Sequence, residues 1–264
     1  MIVPVIYPSA GEFWLHSNPY ASIGYSFNSR KLTDLPAGYE FSVTSKAALE
    51  VAEILDVSTP LFLTAPHQNY KRKGRSCIVQ KHSVFPPNSF VYFSRREFNI
   101  YLACPELCFL LAARSLDLID LVKFGYDLCA LYYENPESKY GQSDRVSYTF
   151  TSLIKDYLVA NRSFHSSVKA LKALKYVCDF SNSPMETRLA MFSSLSEKYG
   201  GCGMRLSSMN KAIILTEEGR QLTGYGELHG DLVFDRVVVE YNSNALHLDA
   251  AHYTDDMNRQ TALK

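Results

Sequence analysis

Asp231 and Glu240 are separated by Leu-Val-Phe-Asp-Arg-Val-Val-Val. Two apolar runs flank an Asp235-Arg236 turn, so the pattern predicts an antiparallel hairpin with one carboxylate on each arm, near the same end. Like charges on neighbouring strands repel unless a cation lies between them, and phosphodiester-cleaving sites hold Mg²⁺ with such pairs. A divalent ion there can generate hydroxide and stabilise charge on the leaving oxygen. Taken alone, Asp-x8-Glu describes two solvated surface carboxylates equally well. A third carboxylate, Glu186, follows Ser183-Pro184. Serine suits a helix N-cap and proline the first helical position, so a helix is expected to start here and run to about Lys198. Glu186 then lies in its first turn, where the helix dipole favours negative charge, and that local role is sufficient in itself.

Two basic clusters could meet phosphate. Lys71-Arg72-Lys73-Gly74-Arg75 carries four positive charges in five residues of an expected loop between strands. Lys169, Lys172 and Lys175 recur along an expected helix, either as a solvated face or as a phosphate-contacting one. With 27 basic and 27 acidic side chains, no global field steers the chain toward nucleic acid, so any such binding must rest on these local patches. Cysteines 77, 104, 108, 129, 178 and 202 form no C-x-x-C pair, which argues against structural zinc. Most sit in apolar runs, as buried thiols of a reducing compartment do; Cys202, in Gly200-Gly201-Cys202-Gly203, is the most exposed candidate. The N-terminal segment has no basic run and carries Pro4 and Pro8, so a signal peptide is not expected. The apolar stretches fall short of the roughly 20 residues that span a bilayer. A soluble, cytoplasmic protein with no membrane partner is the expectation.

The elements that must position these residues fall into contrasting regions. Residues 59–64, 76–80 and 89–93 are apolar runs bounded by turn residues and are expected as strands, and 45–55 is expected as a helix after a Ser or Thr cap. From Cys104 onward the pattern turns helical. Pro105 opens one helix; Asp117 to Phe124 begins a second, with Gly125 as its break. Residues 140–147 are polar and turn-rich, as a linker would be, and 146–159 and 166–178 are two further expected helices. The C-terminal part follows the order helix, strand (residues 211–215), strand, strand, helix.

The larger constellation carries a resemblance. Ser183-Pro184-Met185-Glu186, Asp231-Leu232-Val233-Phe234, Val239-Glu240-Tyr241-Asn242-Ser243 with His247, and Asp256-x-x-Arg259-x-x-x-Leu263 occur in that order. Together they resemble the PD-(D/E)XK nuclease superfamily, in the branch of the very-short-patch-repair endonucleases. The resemblance implies a DNA endonuclease with Asp231 and Glu240 as ligands of Mg²⁺ (or Mn²⁺). It makes Glu186 a helix carboxylate orienting water or metal, and His247 a proton-transfer or phosphate-polarising group. Arg259 would meet a phosphate or tie the closing helix to the acids. Two departures stand out: Asn242 replaces the usual acidic or lysine residue, and the chain stops at Lys264 inside the closing helix. A weaker similarity, carried by Cys104-Pro105-Glu106-Leu107-Cys108-Phe109-Leu110 and Phe124-Gly125-Tyr126-Asp127-Leu128-Cys129-Ala130, links the front half to AbiE-type antitoxin-like bacterial proteins.

The expected architecture is therefore an α+β front half (residues 1–140, DNA-binding or regulatory), a helical linker region (141–182) and an α/β restriction-endonuclease-like core (183–264), which is either truncated at its C-terminus or lacks the covering edge strand. DNA is the expected partner, contacted through Lys71, Arg72, Lys73, Arg75, Lys169 and Arg259. The alternative is a non-catalytic nucleic-acid-binding regulator of antitoxin type; no protein partner or homodimer can be specified from the sequence.

Overall fold

A computed structural model describes residues 1–16, 23, 30–66, 72–81, 84–235, 237–241, 257–259 and 261–263. The chain is mixed α/β and divides into two compact units, residues 1–177 and 178–264. The first unit runs β1 (Ile2–Val5), α1 (Ser9–His16), β2 (Leu32–Thr33), α2 (Ser45–Leu55), β3 (Leu61–Ala65), β4 (Arg72–Lys73), β5 (Cys77–Lys81), β6 (Phe90–Arg95), β7 (Phe98–Ala103), α3 (Pro105–Ala112), α4 (Leu118–Cys129), β8 (Tyr132–Glu134), β9 (Gln142–Asp144), α5 (Thr151–Ala160) and α6 (Ser167–Leu174). Seven of these strands form one sheet in the order β2-β6-β7-β1-β3-β5-β4. The pairs β1/β7 and β3/β5 are parallel and the rest antiparallel.

Local chemistry explains the boundaries. Thr44 caps α2 by accepting from the Ala47 N–H, and Asp117 caps α4 through the Asp120 N–H at 2.9 Å. Proline occupies the first turn of α3, where its missing N–H is no loss. The buried Trp14 indole donates to the Ala103 carbonyl at 2.8 Å, tying α1 to the end of β7. Gly125 does not break α4 as its sequence suggests. It lies inside the helix, where an added Cβ would stand 2.7 Å from Val177 Cγ2 and 3.0 Å from Phe109 Cε2, so glycine there permits close packing.

Residues 140–147, expected as a linker, are anchored. Gln142–Asp144 pairs with Tyr132–Glu134, Ser147, Tyr148 and Thr149 are buried, and the Arg145 guanidinium donates to the carbonyls of Trp14, Asp127 and Ala130. Helices α5 and α6 also belong to this unit, whose boundary falls after Val177. Below α3's first turn, Glu106 (1% exposed) accepts from Arg30 Nη1 at 2.7 Å and from the Thr149 hydroxyl. No helix among the described residues is long and apolar enough to cross a membrane.

The second unit contains α7 (Pro184–Ser194), a 3₁₀ turn (Glu197–Tyr199), β10 (Ser208–Ile214), α8 (Glu217–Thr223), β11 (Glu227–Val233) and β12 (Val238–Val239), with helical turns again at 257–259 and 261–262. Strands β10, β11 and β12 form an antiparallel sheet in that order. The helix α8, where the sequence suggests only a charged turn, is capped by the Thr216 hydroxyl and ended by Gly224 at φ +74°. Helix α7 ends at Ser194, short of the expected Lys198, because the chain turns into the 3₁₀ segment closed by Gly200 at φ +80°.

Candidate functional site

Strand register sets the geometry. In the β11/β12 hairpin Leu232 opposes Val239, closed by the bond from the Phe234 N–H to the Val237 carbonyl at 2.8 Å. One step further Asp231 and Glu240 stand opposite each other on one face, since opposed residues of an antiparallel pair share a face. The Tyr241 N–H donates to Asp231 Oδ2 at 2.7 Å, and the Asp231 N–H donates to the Glu240 carboxylate. On the other face of β11, Leu228, Gly230 and Leu232 are buried. An added Cβ at Gly230 would approach Val238 Cγ1 to 2.7 Å, so only glycine lets β12 lie this close.

Glu186 is drawn to the same neighbourhood from α7. Ser183 and Glu186 form a variant of the capping box in which the Glu186 N–H donates to the Ser183 hydroxyl and that hydroxyl, not the Ser183 N–H, donates to Glu186 Oε1 at 3.0 Å. Glu186 Oε2 accepts from the Asn182 N–H at 3.0 Å and from Asn210 Nδ2 at 2.8 Å. Both oxygens of this buried carboxylate are thus committed locally, while the charge of Asp231 still acts on it.

Asn210, which the sequence does not single out, is the element that joins these parts. It lies across from Asp231 in the β10/β11 ladder and takes the left-handed conformation, φ +49°. Its amide bridges the Phe180 carbonyl and Glu186, each at 2.8 Å, and its own carbonyl meets His229 Nδ1 at 3.1 Å. Asparagine tolerates this conformation better than most residues.

Burial raises all three carboxyl pKa values, and the Asp231 charge raises those of Glu186 and Glu240 further. Hydrogen bonds and Arg259 partly offset this. Arg259 Nη2 pairs with Glu240 Oε2 at 3.0 Å and donates to the His229 carbonyl. Glu240 Oε1 is buried and has no hydrogen-bond partner among the described residues.

The remaining sequence candidates are placed differently. His247, with Asn242 and Asp256, lies outside the described residues, as does Lys71. Arg72 and Lys73 are not in a loop but form β4, the edge strand of the large sheet, and Arg75 is exposed in the turn to β5. Basic residues on an edge also discourage edge-to-edge pairing with other chains. Lys169 is half-buried and donates to the Leu116 carbonyl, which turns its ammonium toward the turn between α3 and α4 rather than leaving it to phosphate. These residues belong to unit 1–177, and the acidic group to unit 178–264.

Among the described residues, no three or more His, Cys, Asp or Glu side chains are grouped to hold a metal ion. The donors that could hold a hard divalent cation are Asp231 and Glu240, whose Oε1 is buried with no hydrogen-bond partner among the described residues; Mg²⁺ commonly takes one or two carboxylates and completes its shell with water and phosphate. Comparison of the chain with family models, with characterised proteins and with solved structures finds no match.

The raised carboxyl pKa values fix a pH dependence. The folded unit holds protons at a pH where the unfolded chain has released them. Metal-free stability is therefore expected to fall as pH rises from the ordinary carboxylate range, near pH 4, through the raised values, and to level off above them. A divalent ion held by this pair would compete with those protons, so stabilisation by Mg²⁺ would be absent at the acid end and grow across the same window. Thermal unfolding across this range, in EDTA and in Mg²⁺, measures both; parallel curves would contradict the assignment.

Proposed function

We propose that residues 178–264 form a metal-dependent DNA endonuclease-like module, similar to the PD-(D/E)XK nucleases, that hydrolyses phosphodiester bonds in bacterial DNA handling or defence. The observation that carries this reading is the facing pair Asp231 and Glu240, with one carboxylate oxygen buried and unpartnered among the described residues. Asp231 and Glu240 would hold Mg²⁺ or Mn²⁺, which when bound would activate water and offset charge on the leaving oxygen. Asn210 and the capping box orient Glu186 beside them. His247 is the proposed proton carrier. Arg72, Lys73 and Arg75, with Lys71, are the proposed contacts to the DNA backbone.

A second reading, the non-catalytic nucleic-acid-binding regulator of antitoxin type, is favoured by Arg259. Its guanidinium already supplies Glu240 with a positive partner, and Asn242 brings no charge to a metal. Cleavage by the chain as it stands is accordingly expected to be slow or absent. Asn242→Asp adds one charge to a divalent site and should strengthen Mg²⁺ or Mn²⁺ binding by about 1–3 kcal/mol, with a parallel rise in plasmid nicking. Calorimetric metal titration and nicking assays on both forms test this; if neither quantity changes, the regulator reading takes precedence.

A further inference from the structure

Between α5 and α6 runs a groove of about 680 Å³ lined by Lys155, Val159, Arg162, Val168, Leu171, Lys172, Leu174 and Lys175. The opposite faces of the two helices are buried through Ile154 and Leu158 on α5 and Ala170 and Ala173 on α6. Of the groove's apolar side chains, Leu174 belongs to that core and Leu171 is half-buried, whereas Val159 is 49% exposed and Val168 70%. Lys155 and Val159 lie one turn apart on α5, and Arg162 follows just beyond its C-cap Asn161. Val168, Leu171, Lys172 and Lys175 follow helical spacing along α6 and its cap. Four cations line the groove and no acidic side chain does, in a chain whose formal charges sum to zero. Lys155, Arg162 and Lys175 make no ion pair with a described residue.

The geometry points to this groove as the docking site for an acidic amphipathic helix of a partner protein. The two chemistries of the groove select that occupant together. A DNA backbone would answer the cations but leave the exposed valines in water, because phosphate and sugar offer little apolar surface. A purely apolar helix would cover the valines and leave the cations without counter-charge. A helix with apolar residues at i, i+3/i+4 and i+7, flanked by Asp and Glu, matches floor and rims at once. The concave shape favours an inserted helix over a flat anionic lipid surface. This inference does not rest on the nuclease reading and concerns only the unit of residues 1–177.

Fluorescence anisotropy of the full chain with a labelled acidic amphipathic helical peptide tests it. The expected result is saturable binding that weakens at least about tenfold in Lys155→Glu/Arg162→Glu and about threefold or more in Val159→Ser/Val168→Ser. Both variants change exposed side chains, so their circular dichroism and Tm should match the parent; a weakened binder with altered Tm is replaced by Lys175→Glu. Equal binding of a scrambled peptide of the same composition overturns the proposal, because helical register would then not matter. Duplex DNA or phosphatidylserine vesicles that bind more tightly than the peptide, with sensitivity to the charge reversals but not to the valine changes, overturn it in favour of a nucleic-acid or membrane surface. Absence of peptide binding up to roughly 100 μM, about 5–6 kcal/mol of binding free energy, also overturns it.

Discussion

In Asp231→Asn protein, binding of Mg²⁺ or Mn²⁺ is expected to fall by a factor on the order of 100 or more, and any metal-dependent nicking to fall to background. At the same time the metal-free protein should melt at a higher temperature than the parent. The two effects share a cause. Burial holds Asp231, Glu240 and Glu186 at raised pKa values and the Asp231 charge adds to the shift of the other two, so their ionised forms oppose folding when no metal ion is bound. Asparagine keeps an oxygen able to accept the Tyr241 N–H, so the β11/β12 pairing survives while the charge acting on both neighbours disappears. A purely structural Asp231 would give the reverse pattern, a lower Tm and unchanged metal binding. Calorimetric titration with thermal unfolding in EDTA separates these cases, and a drop in metal-free Tm would remove Asp231 from the proposed site.

What the sequence discloses about this site depends on the range over which each feature is determined. Helix starts are local, and Thr44, Pro105, Asp117 and Ser183 each sit where capping chemistry puts them. The hairpin around Asp235 is equally local, so the facing of Asp231 and Glu240 is legible from alternation and turn length alone. Asn210 is not. Its bridging depends on a left-handed φ and on the approach of α7 to the sheet, neither of which leaves a mark in Ser-Met-Asn-Lys. The first strand is hidden for a different reason. Ile2–Val5 lies in the middle of the large sheet although it contains Pro4, which ordinarily argues for an edge. Pro4 shares the parity of Ile6, whose N–H donates to Phe62, and pairing with β3 is registered only at Val5. The missing N–H therefore faces a side where the ladder has not yet begun. Gly125 was legible as a special position, but the sequence could not tell a helix break from a close contact with Val177 and Phe109.

The largest stability effect is expected in the other unit, at Glu106. This side chain is 1% exposed and accepts from Arg30, itself 19% exposed, and from Thr149. One of its oxygens, Oε2, is buried with no hydrogen-bond partner among the described residues. Burying a carboxylate this completely is tolerated because the guanidinium comes with it, and removing one member strands the other in a poorly solvated place. Glu106→Ala also leaves a void beneath the first turn of α3, next to Cys104 and Leu107, which are both 0% exposed. The expected loss is about 3–5 kcal/mol in denaturant unfolding. Two further variants identify the origin of that loss. Glu106→Gln fills the same volume and can still accept from Thr149, so it isolates the charge and should recover only part of the stability. Glu106→Leu with Arg30→Met replaces the pair by apolar side chains of similar size and should return most of it, since well-packed apolar groups commonly match a buried ion pair. If Glu106→Ala costs less than about 1 kcal/mol, the pair is as weak as a solvent-exposed one and does not hold the start of α3 in place.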